Sequence, residues 1–119
     1  MPPPRREWKL RVGDIRRAIE KVLDHTEGMS YEEFSQDEWL MDAVAHNLLI
    51  MGEAAKHIPH NVRSKVPDIP WNSMKYLRNI IAHEYFTVSR ETLWKTVNER
   101  LPKLLEKLRE SFPYEKGSR

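Results

Sequence analysis

The sequence predicts an all-α fold, an antiparallel bundle of four to five helices with short connectors. Apolar residues recur at steps of three and four along nearly the whole chain, which is the spacing of one face of a helix. No segment alternates polar and apolar residues over the length of a strand, and no Asn-Gly or Asp-Gly pair marks a hairpin. Helices with short links pack as antiparallel neighbours, and the second and third long helices have apolar faces wide enough for a homodimer interface.

The N-terminal half predicts two long helices with a short one between them. The first long helix is marked by a stripe of apolar residues: Trp8, Val12, Ile15, Ile19 and Val22. Gly28 is its predicted stop. Ser30 and Glu33 form the capping-box pair of a short helical turn, and Ser35 and Glu38 repeat that signature where the second long helix should begin.

The second long helix is predicted to turn one face to the core and to end at Pro59, which cannot continue a helix. That face consists of Leu40, Val44, Asn47, Met51, Ala54 and Ile58. Residues 51–55, "MGEAA", are mostly small, so a neighbouring helix could approach closely at this point.

The C-terminal half predicts a connector and two further helices. Pro67 and Pro70 mark a turn-rich link, with room for one helical turn, before a third long helix that begins near Trp71. Three residues of that helix are predicted to face inward: Met74, Leu77 and Ile81. Ser89 is the predicted N-cap of the last helix, in which Pro102 predicts a kink. Its apolar stripe consists of Trp94, Val97, Leu101, Leu104 and Leu108.

The length of 119 residues predicts one domain, residues 1–119, with an ordered core from about residue 7 to 113 and flexible tails at 1–6 and 114–119. There is no cysteine, which excludes disulfides, thiolate metal sites and a cysteine nucleophile. No apolar run approaches the roughly 18 residues of a membrane span, and the start lacks the apolar region of a secretory signal. We therefore expect a cytoplasmic protein without membrane association.

The charges are distributed unevenly, although the net charge is only +2. Residues 30–55 contain six acidic residues and no Lys or Arg, whereas residues 56–90 contain six basic residues and two acidic ones. Such an asymmetry can place a positive surface where an anion binds. It can equally be an ordinary solvated face.

Four polar residues lie close together in an apolar stretch of the third long helix, residues 77–86, "LRNIIAHEYF". His83 follows Asn79 by four residues, so the two share a helical face. Arg78 lies about 140° around an ideal helix from His83, and Tyr85 falls almost under Arg78. One helix therefore cannot aim Arg78 and His83 at the same small ligand, but a two-fold dimer could bring two copies together across a cleft.

These residue types suit metal-free cleavage of RNA. His83 could take the proton of a 2′-hydroxyl or supply one to the leaving 5′-oxygen near neutral pH. Arg78 could hold the oxygens of a phosphorane-like transition state. Asn79 could orient the phosphate or the imidazole, and Lys75 could make a supporting phosphate contact. From spacing alone, however, arginine and histidine on a helix are more often surface residues.

The pattern Arg-Asn-x-x-x-His-x-Tyr resembles the signature of HEPN-superfamily ribonucleases, and of the HepT toxin family in particular. The resemblance extends from about Trp8 to Phe112. It rests on four segments: "EGMSYEEF" (27–34), "NLLIMGEAAKHI" (47–58), "IPWNSMKYLRNIIAHEYF" (69–86) and "LPKLLEKL" (101–108).

The resemblance implies a homodimer with a composite cleft, acting as a metal-independent RNase without a cofactor. It implies Arg78, His83 and Asn79 as catalytic residues. It also implies a type VII toxin–antitoxin pair, in which an MntA-like nucleotidyltransferase antitoxin transfers AMP to Tyr85. The alternative is a non-catalytic nucleotide- or substrate-binding helical subunit of a two-component nucleotidyltransferase, and a helical dimer with purely structural duties is a third possibility.

Other polar residues support weaker hypotheses. His57 and His60 lie three residues apart, but no further ligands accompany them, so no metal site is predicted. Glu53 either orients Arg78 across a helix pair or faces solvent. His25 and His46 are expected on the surface. All four tryptophans are expected to anchor the core: Trp8, Trp39, Trp71 and Trp94. Trp71 could instead border the cleft and stack on a base.

Overall fold

The computed structural model describes residues 7–113, and these residues form helices joined by short turns, with no strand among them. The α-helices of this range are α1 (Glu7–Thr26), α2 (Tyr31–Ser35), α3 (Glu38–Lys56), α4 (His60–Arg63), α5 (Trp71–Glu84), α6 (Arg90–Lys95) and α7 (Leu101–Ser111). A 3₁₀ turn, Tyr85–Thr87, follows α5, and a π-helical segment, Thr96–Arg100, joins α6 to α7. The all-α prediction is confirmed. The tails predicted at 1–6 and 114–119 lie outside the described residues.

Helix α3 is the centre of the bundle and packs against α1 on one side and α5 on the other, while α7 packs on α1. Its buried side chains join those of its neighbours in one apolar core. The stripe predicted for α1 is buried at four of its five positions, with Trp8 half-buried at the edge. Burial of these stripes supplies most of the stability of a bundle, because short helices are marginal in isolation.

The turn between α2 and α3 confirms one predicted cap and corrects another. The Ser30 side chain accepts from the Glu33 backbone N–H, and the Glu33 carboxylate accepts from the Ser30 N–H, as the capping-box pattern predicted. The prediction that Ser35 caps α3 is wrong, because Ser35 is the last residue of α2. The N-cap of α3 is Asp37, whose carboxylate accepts from the Leu40 N–H at 3.0 Å.

Helix α5 begins at Trp71, as predicted, after a link that contains the single turn of α4. The Trp71 indole is buried and donates from Nε1 to the Val66 carbonyl at 3.3 Å. This contact fixes the start of α5 against the link. Ser89 is confirmed as the N-cap of α6, since its Oγ accepts from the Thr92 N–H at 3.0 Å.

A kink was predicted at Pro102, and the structure has a π-helical segment immediately before this residue. Proline has no backbone N–H, and its ring crowds the carbonyl four residues earlier, here that of Asn98. A wider turn with i to i+5 hydrogen bonds relieves that crowding. The helix therefore continues through the proline and keeps Leu101, Leu104 and Leu108 in the core.

The prediction that all four tryptophans anchor the core is wrong for Trp39, which is 87% exposed. Trp39 lies in the first turn of α3, where the next two residues, Leu40 and Met41, take the inward positions. The phase of the helix therefore turns the indole outward, whatever its hydrophobicity. Within residues 7–113, no helix combines the length and the apolar character that crossing a membrane requires.

Candidate functional site

The polar residues of the 77–86 stretch lie at the end of α5 and in the 3₁₀ turn beyond it. Arg78, Asn79 and His83 belong to α5, whereas Tyr85 begins the 3₁₀ turn, because the backbone leaves helical geometry at Glu84. Arg78 and Tyr85 both contact α3, so the prediction that they share one side of the helix is confirmed.

Helices α3 and α5 approach each other most closely at Gly52. A Cβ atom on this residue would lie 2.2 Å from Cβ of Arg78 and 2.7 Å from the carbonyl oxygen of Met74. Both distances are far below ordinary van der Waals contact, so only glycine allows this approach. The small residues of "MGEAA" therefore do what the sequence predicted, and they bring the base of the Arg78 side chain onto α3.

Arg78 is held by two side chains, one from each helix. Its Nη2 lies 3.2 Å from Oε1 of Glu53 on α3, and its Nη1 donates to Oδ1 of Asn79 at 3.1 Å. Glu53 contacts Arg78 and is also exposed to solvent, with 48% of its side-chain surface accessible, so the structure shows both possibilities considered for it. Glu53 also lies within 3.6 Å of Lys56 and 3.8 Å of His57, so one carboxylate gathers three basic groups.

The arrangement leaves hydrogen-bond donors available for an anion. A guanidinium carries five N–H donors, and the two contacts of Arg78 occupy only part of them. Asn79 uses its carbonyl oxygen towards Arg78, so its amide N–H groups are free to donate elsewhere. A phosphate beside these two residues would meet a fixed positive charge and further donors.

His83 does not join this group. It is exposed on the last turn of α5, and its side chain makes no hydrogen bond or ion pair with another residue of the described range. The same is true of the half-buried Lys75. Because Arg78 faces α3 and His83 lies about 140° around the helix, the two do not converge within one chain.

Tyr85 forms a second polar contact between α5 and α3. Its hydroxyl donates a hydrogen bond to Oδ1 of Asp42. This bond, together with burial and the negative charges of Asp42 and Glu38, raises the pKa of Tyr85 to about 12. The cause is that a neighbouring carboxylate stabilises the neutral phenol and repels the phenolate.

A groove of about 750 Å³ opens beside this contact, between α3, α5 and α6. Its floor is apolar and includes Met41, Leu49, Ile81 and Leu93. Its polar lining consists of Glu38, Asp42, His46, Tyr85 and Arg90, and Phe86 stands at its edge with 98% of its surface exposed.

Sequence reasoning missed Asp42 and gave His46 no role. Asp42 was one member of an acidic run, and nothing in the sequence links it to Tyr85, 43 residues away. His46 is exposed as predicted, but it lies one turn after Asp42 and faces the same groove. The i, i+4 spacing of these two residues on α3 was the one available signal.

The histidine pair His57 and His60 does not gain ligands from the fold. His57 is the C-cap of α3, Pro59 is the N-cap of α4, and His60 is the first residue of α4. Within the described part of the chain, no group of three or more histidine and carboxylate side chains is placed to hold a metal ion.

Comparison with known proteins identifies the family. Residues 15–111 match the family model described as Ribonuclease HepT-like. The chain is 40% identical over 108 residues to "Probable ribonuclease HepT" of Thermococcus cleftensis, which covers 88% of this chain and 98% of the relative. It is 37% identical over 100 residues to "Putative RNase MJ1380" of Methanocaldococcus jannaschii, covering 84% and 92%. No solved structure matches the chain. The chain therefore belongs to the HepT-like ribonuclease family.

Proposed function

We propose that this chain is an endoribonuclease that cleaves RNA without a metal ion and serves as the toxin of a type VII toxin–antitoxin pair in the cytoplasm. Family membership supports the ribonuclease activity. The observation that carries the assignment of the site is the anchored Arg78, which Glu53 and Asn79 hold in one geometry with donors to spare.

In the proposed reaction, the 2′-hydroxyl of a ribose attacks the adjacent phosphorus and the 5′-oxygen leaves. Arg78 and Asn79 donate hydrogen bonds to the phosphate oxygens, which gain negative charge in the transition state. His83 transfers a proton as general acid or base. Lys75, one turn before Asn79 on α5, supports the strand through a phosphate contact.

The proposed enzyme is a homodimer, because one chain does not bring Arg78 and His83 together. Tyr76 supports an interface on the outer face of α5: it is 68% exposed and lies seven residues, or two turns, before His83. A second copy packed on this face would cover the exposed ring and place its own residues beside the first site. The cleft would then be composite, with Arg78 from one protomer and His83 from its partner.

The proposed control is the transfer of AMP to Tyr85 by an MntA-like nucleotidyltransferase, the antitoxin. Tyr85 faces the same side of α5 as Arg78. An AMP group there would add bulk and a negative phosphate near the residues that bind RNA, and would therefore exclude the strand by volume and by charge.

An RNA cleavage assay in the presence of a chelator tests the activity. The wild-type chain should cleave, His83→Ala should lose about a thousandfold in rate, and His60→Ala, a histidine outside the motif, should retain it. Cleavage by His83→Ala at the wild-type rate would remove His83 from the mechanism.

The same assay decides the alternative. A wild-type chain that binds nucleotides but cleaves no RNA would be a non-catalytic subunit of a nucleotidyltransferase. The groove beside Tyr85, with an apolar floor and a polar rim, is the feature that favours this second candidate.

A further inference from the structure

The contact between Tyr85 and Asp42 joins a nucleophile to a proton acceptor. The hydroxyl of Tyr85 already points its hydrogen at Oδ1 of Asp42, and the bond crosses from the end of α5 to the first half of α3. Both residues line the groove, so a molecule entering it could reach the phenolic oxygen while the carboxylate holds the proton. A nucleophile and a base in contact beside an accessible cavity form the arrangement that covalent chemistry on a side chain requires.

A second tyrosine–carboxylate pair in this chain shows what the groove adds. Desolvation, followed by the neighbouring carboxylate of Glu91 on α6, raises the pKa of Tyr31 on α2. The Tyr31 ring packs on Trp94, at 6.4 Å between ring centroids, and neither Tyr31 nor Glu91 lines the groove. This pair also brings a phenol near a carboxylate, but it lies outside the groove.

Three other charged or titratable groups surround the Tyr85–Asp42 contact within the groove. Glu38 and His46 lie one turn before and one turn after Asp42 on α3, and Arg90 faces them from the start of α6. Arg90 is fixed there, because its Nη1 donates to the Ser35 carbonyl at 2.6 Å. A triphosphate approaching Tyr85 would therefore meet one anchored guanidinium on the α6 side.

We propose that Asp42 is the general base that accepts the phenolic proton when Tyr85 is adenylylated. The inference rests on the proposed modification of Tyr85. In this step Oη of Tyr85 attacks the α-phosphorus of a nucleoside triphosphate, which the partner nucleotidyltransferase brings with its divalent cation. The bond from Oη to phosphorus forms, the bond from that phosphorus to the β-phosphate oxygen breaks, and pyrophosphate leaves with the electron pair. The proton passes from Oη to Oδ1 of Asp42.

The need for a base follows from the acidity of the phenol. With a pKa of about 12, roughly one Tyr85 side chain in 10⁵ is ionised at pH 7. Waiting for the free phenolate would make the transfer slow. As the bond to phosphorus forms, however, the phenolic oxygen becomes a far stronger acid, so a carboxylate already hydrogen-bonded to it can take the proton in the transition state.

The test is the rate at which Tyr85 gains the mass of AMP. The full chain is incubated with the MntA-like nucleotidyltransferase, ATP and Mg²⁺, and intact-protein and peptide mass spectrometry follow the product. Asp42→Asn keeps a hydrogen-bond acceptor of the same shape but removes the proton acceptor. We expect its rate at pH 7 to fall about 100-fold. The matched control, Glu91→Gln, removes the carboxylate of the other pair and should react at the wild-type rate.

A pH series separates a base from a residue that only positions Tyr85. The ratio of the Asp42→Asn rate to the wild-type rate cancels the pH dependence of the partner enzyme. We expect the 100-fold deficit at pH 7 to shrink to within about tenfold by pH 9, because the growing phenolate fraction no longer needs the base. RNA cleavage by Asp42→Asn in the absence of the partner reports whether the variant is folded.

Three results would overturn the inference. The first is modification of Asp42→Asn at the wild-type rate at pH 7. The second is a deficit of Asp42→Asn that stays constant between pH 7 and 9. The third is modification of Glu91→Gln as slow as that of Asp42→Asn. A wild-type chain that gains no AMP on Tyr85 would overturn the proposed modification together with this role of Asp42. Modification of Tyr85 in both the wild type and Asp42→Asn at equal rates would overturn the role of Asp42 alone.

Discussion

Two helix pairs of the bundle are each linked by an arginine–glutamate ion pair, but only one of these pairs lies among the candidate site residues. Arg78 and Glu53 link α5 to α3 at 3.2 Å, and Arg109 and Glu20 link α7 to α1 at 3.1 Å. The Arg78 side chain keeps 27% of its surface exposed, whereas that of Arg109 keeps 60%. The difference is in what surrounds each ion pair.

The α3–α5 pair carries several polar side chains with unused hydrogen-bond donors or acceptors. Asn79 adjoins Arg78, and Tyr85 meets Asp42 beside the groove of about 750 Å³. The groove beside Arg109 is smaller, about 440 Å³, and contains no tyrosine or histidine. Near that end of the molecule, Phe112 packs edge-on against Trp8 at 5.9 Å. Arg109 itself lines its groove, whereas Arg78 does not line the larger one. The α3–α5 pair therefore differs in the further donors and acceptors that the same two helices contribute, at Asn79 and at the Tyr85–Asp42 contact.

The largest expected effect is the loss of RNA cleavage when Arg78 is removed, with removal of Arg109 as the comparison. Arg78→Ala should lower the rate of RNA cleavage about a thousandfold, because a charged donor to the transition state is lost. Arg109→Ala should leave the rate within about twofold. Cleavage time courses at saturating RNA measure both. Equal losses in the two variants would contradict a special role for the α3–α5 pair.

The close approach of α3 and α5 predicts the next effect. Gly52→Ala should lower the free energy of unfolding by about 2 kcal/mol, because the new Cβ forces the helices apart. The matched variant Gly28→Ala adds a side chain in open space at a positive φ of 77°, and should cost about 1 kcal/mol through backbone strain alone.

Urea denaturation measures both glycine variants, and RNA cleavage distinguishes them. Gly52→Ala displaces the base of Arg78 and should reduce cleavage, whereas Gly28→Ala should not. Gly52→Ala with the stability of the wild type would show that the helices separate without cost.

The raised pKa of Tyr85 predicts that the stability of the fold depends on pH in the alkaline range. The pKa of Tyr85 is raised from 10.0 to about 12, chiefly by its bond to Asp42. Since the folded-state pKa lies above the unfolded value, this bond stabilises the fold fully below about pH 10 and is lost as the pH rises towards 12. Asp42→Asn should bring the pKa of Tyr85 back towards 10 and remove this part of the alkaline loss of stability.

Carbon-13 NMR of the tyrosine ring carbons measures the pKa residue by residue. In Asp42→Asn the Tyr85 resonance should titrate at lower pH while that of Tyr31 is unchanged, and Glu91→Gln should do the reverse. A Tyr85 pKa that stays at about 12 without Asp42 would show that burial alone raises it.

The smallest expected effect is the loss of stability when either glutamate of the two ion pairs is replaced by glutamine. Both ion pairs are partly solvated, so Glu53→Gln and Glu20→Gln should each cost less than about 1 kcal/mol. Only Glu53→Gln should change RNA cleavage, because it releases Arg78 from its fixed position. Thermal unfolding and RNA cleavage rates, measured for both variants, would show whether two ion pairs of similar stability differ in their role in cleavage. Loss of cleavage in both variants, or in neither, would contradict this difference.

Much of the fold could be predicted because helices are encoded locally. The spacing of apolar residues located the long helices, and Pro70, Ser89 and Pro102 marked their starts and irregularities. The errors arose where two local readings competed. Ser35 and Asp37 are both good N-caps two residues apart, and the outward phase of Trp39 depends on where α3 begins.

The candidate site was predictable only in part. Arg78, Asn79, His83 and Tyr85 stand close together in the sequence, and their chemistry and family resemblance drew attention to them. Their partners come from α3. The sequence offered Glu53 as a possible partner of Arg78, but no rule of sequence spacing connects Asp42 to Tyr85. The contact between Asp42 and Tyr85 appears only once α3 and α5 are packed together.

The outward-facing indole of Trp39 gives the protein a built-in optical probe. Trp71 is buried and Trp8 and Trp94 are half-buried, so Trp39, at 87% exposure, should dominate the red-shifted part of the fluorescence emission and be quenched first by iodide. It lies next to Glu38, at the rim of the groove. Any macromolecule that settles over that rim would shield this fluorophore, and its arrival could be timed without a label.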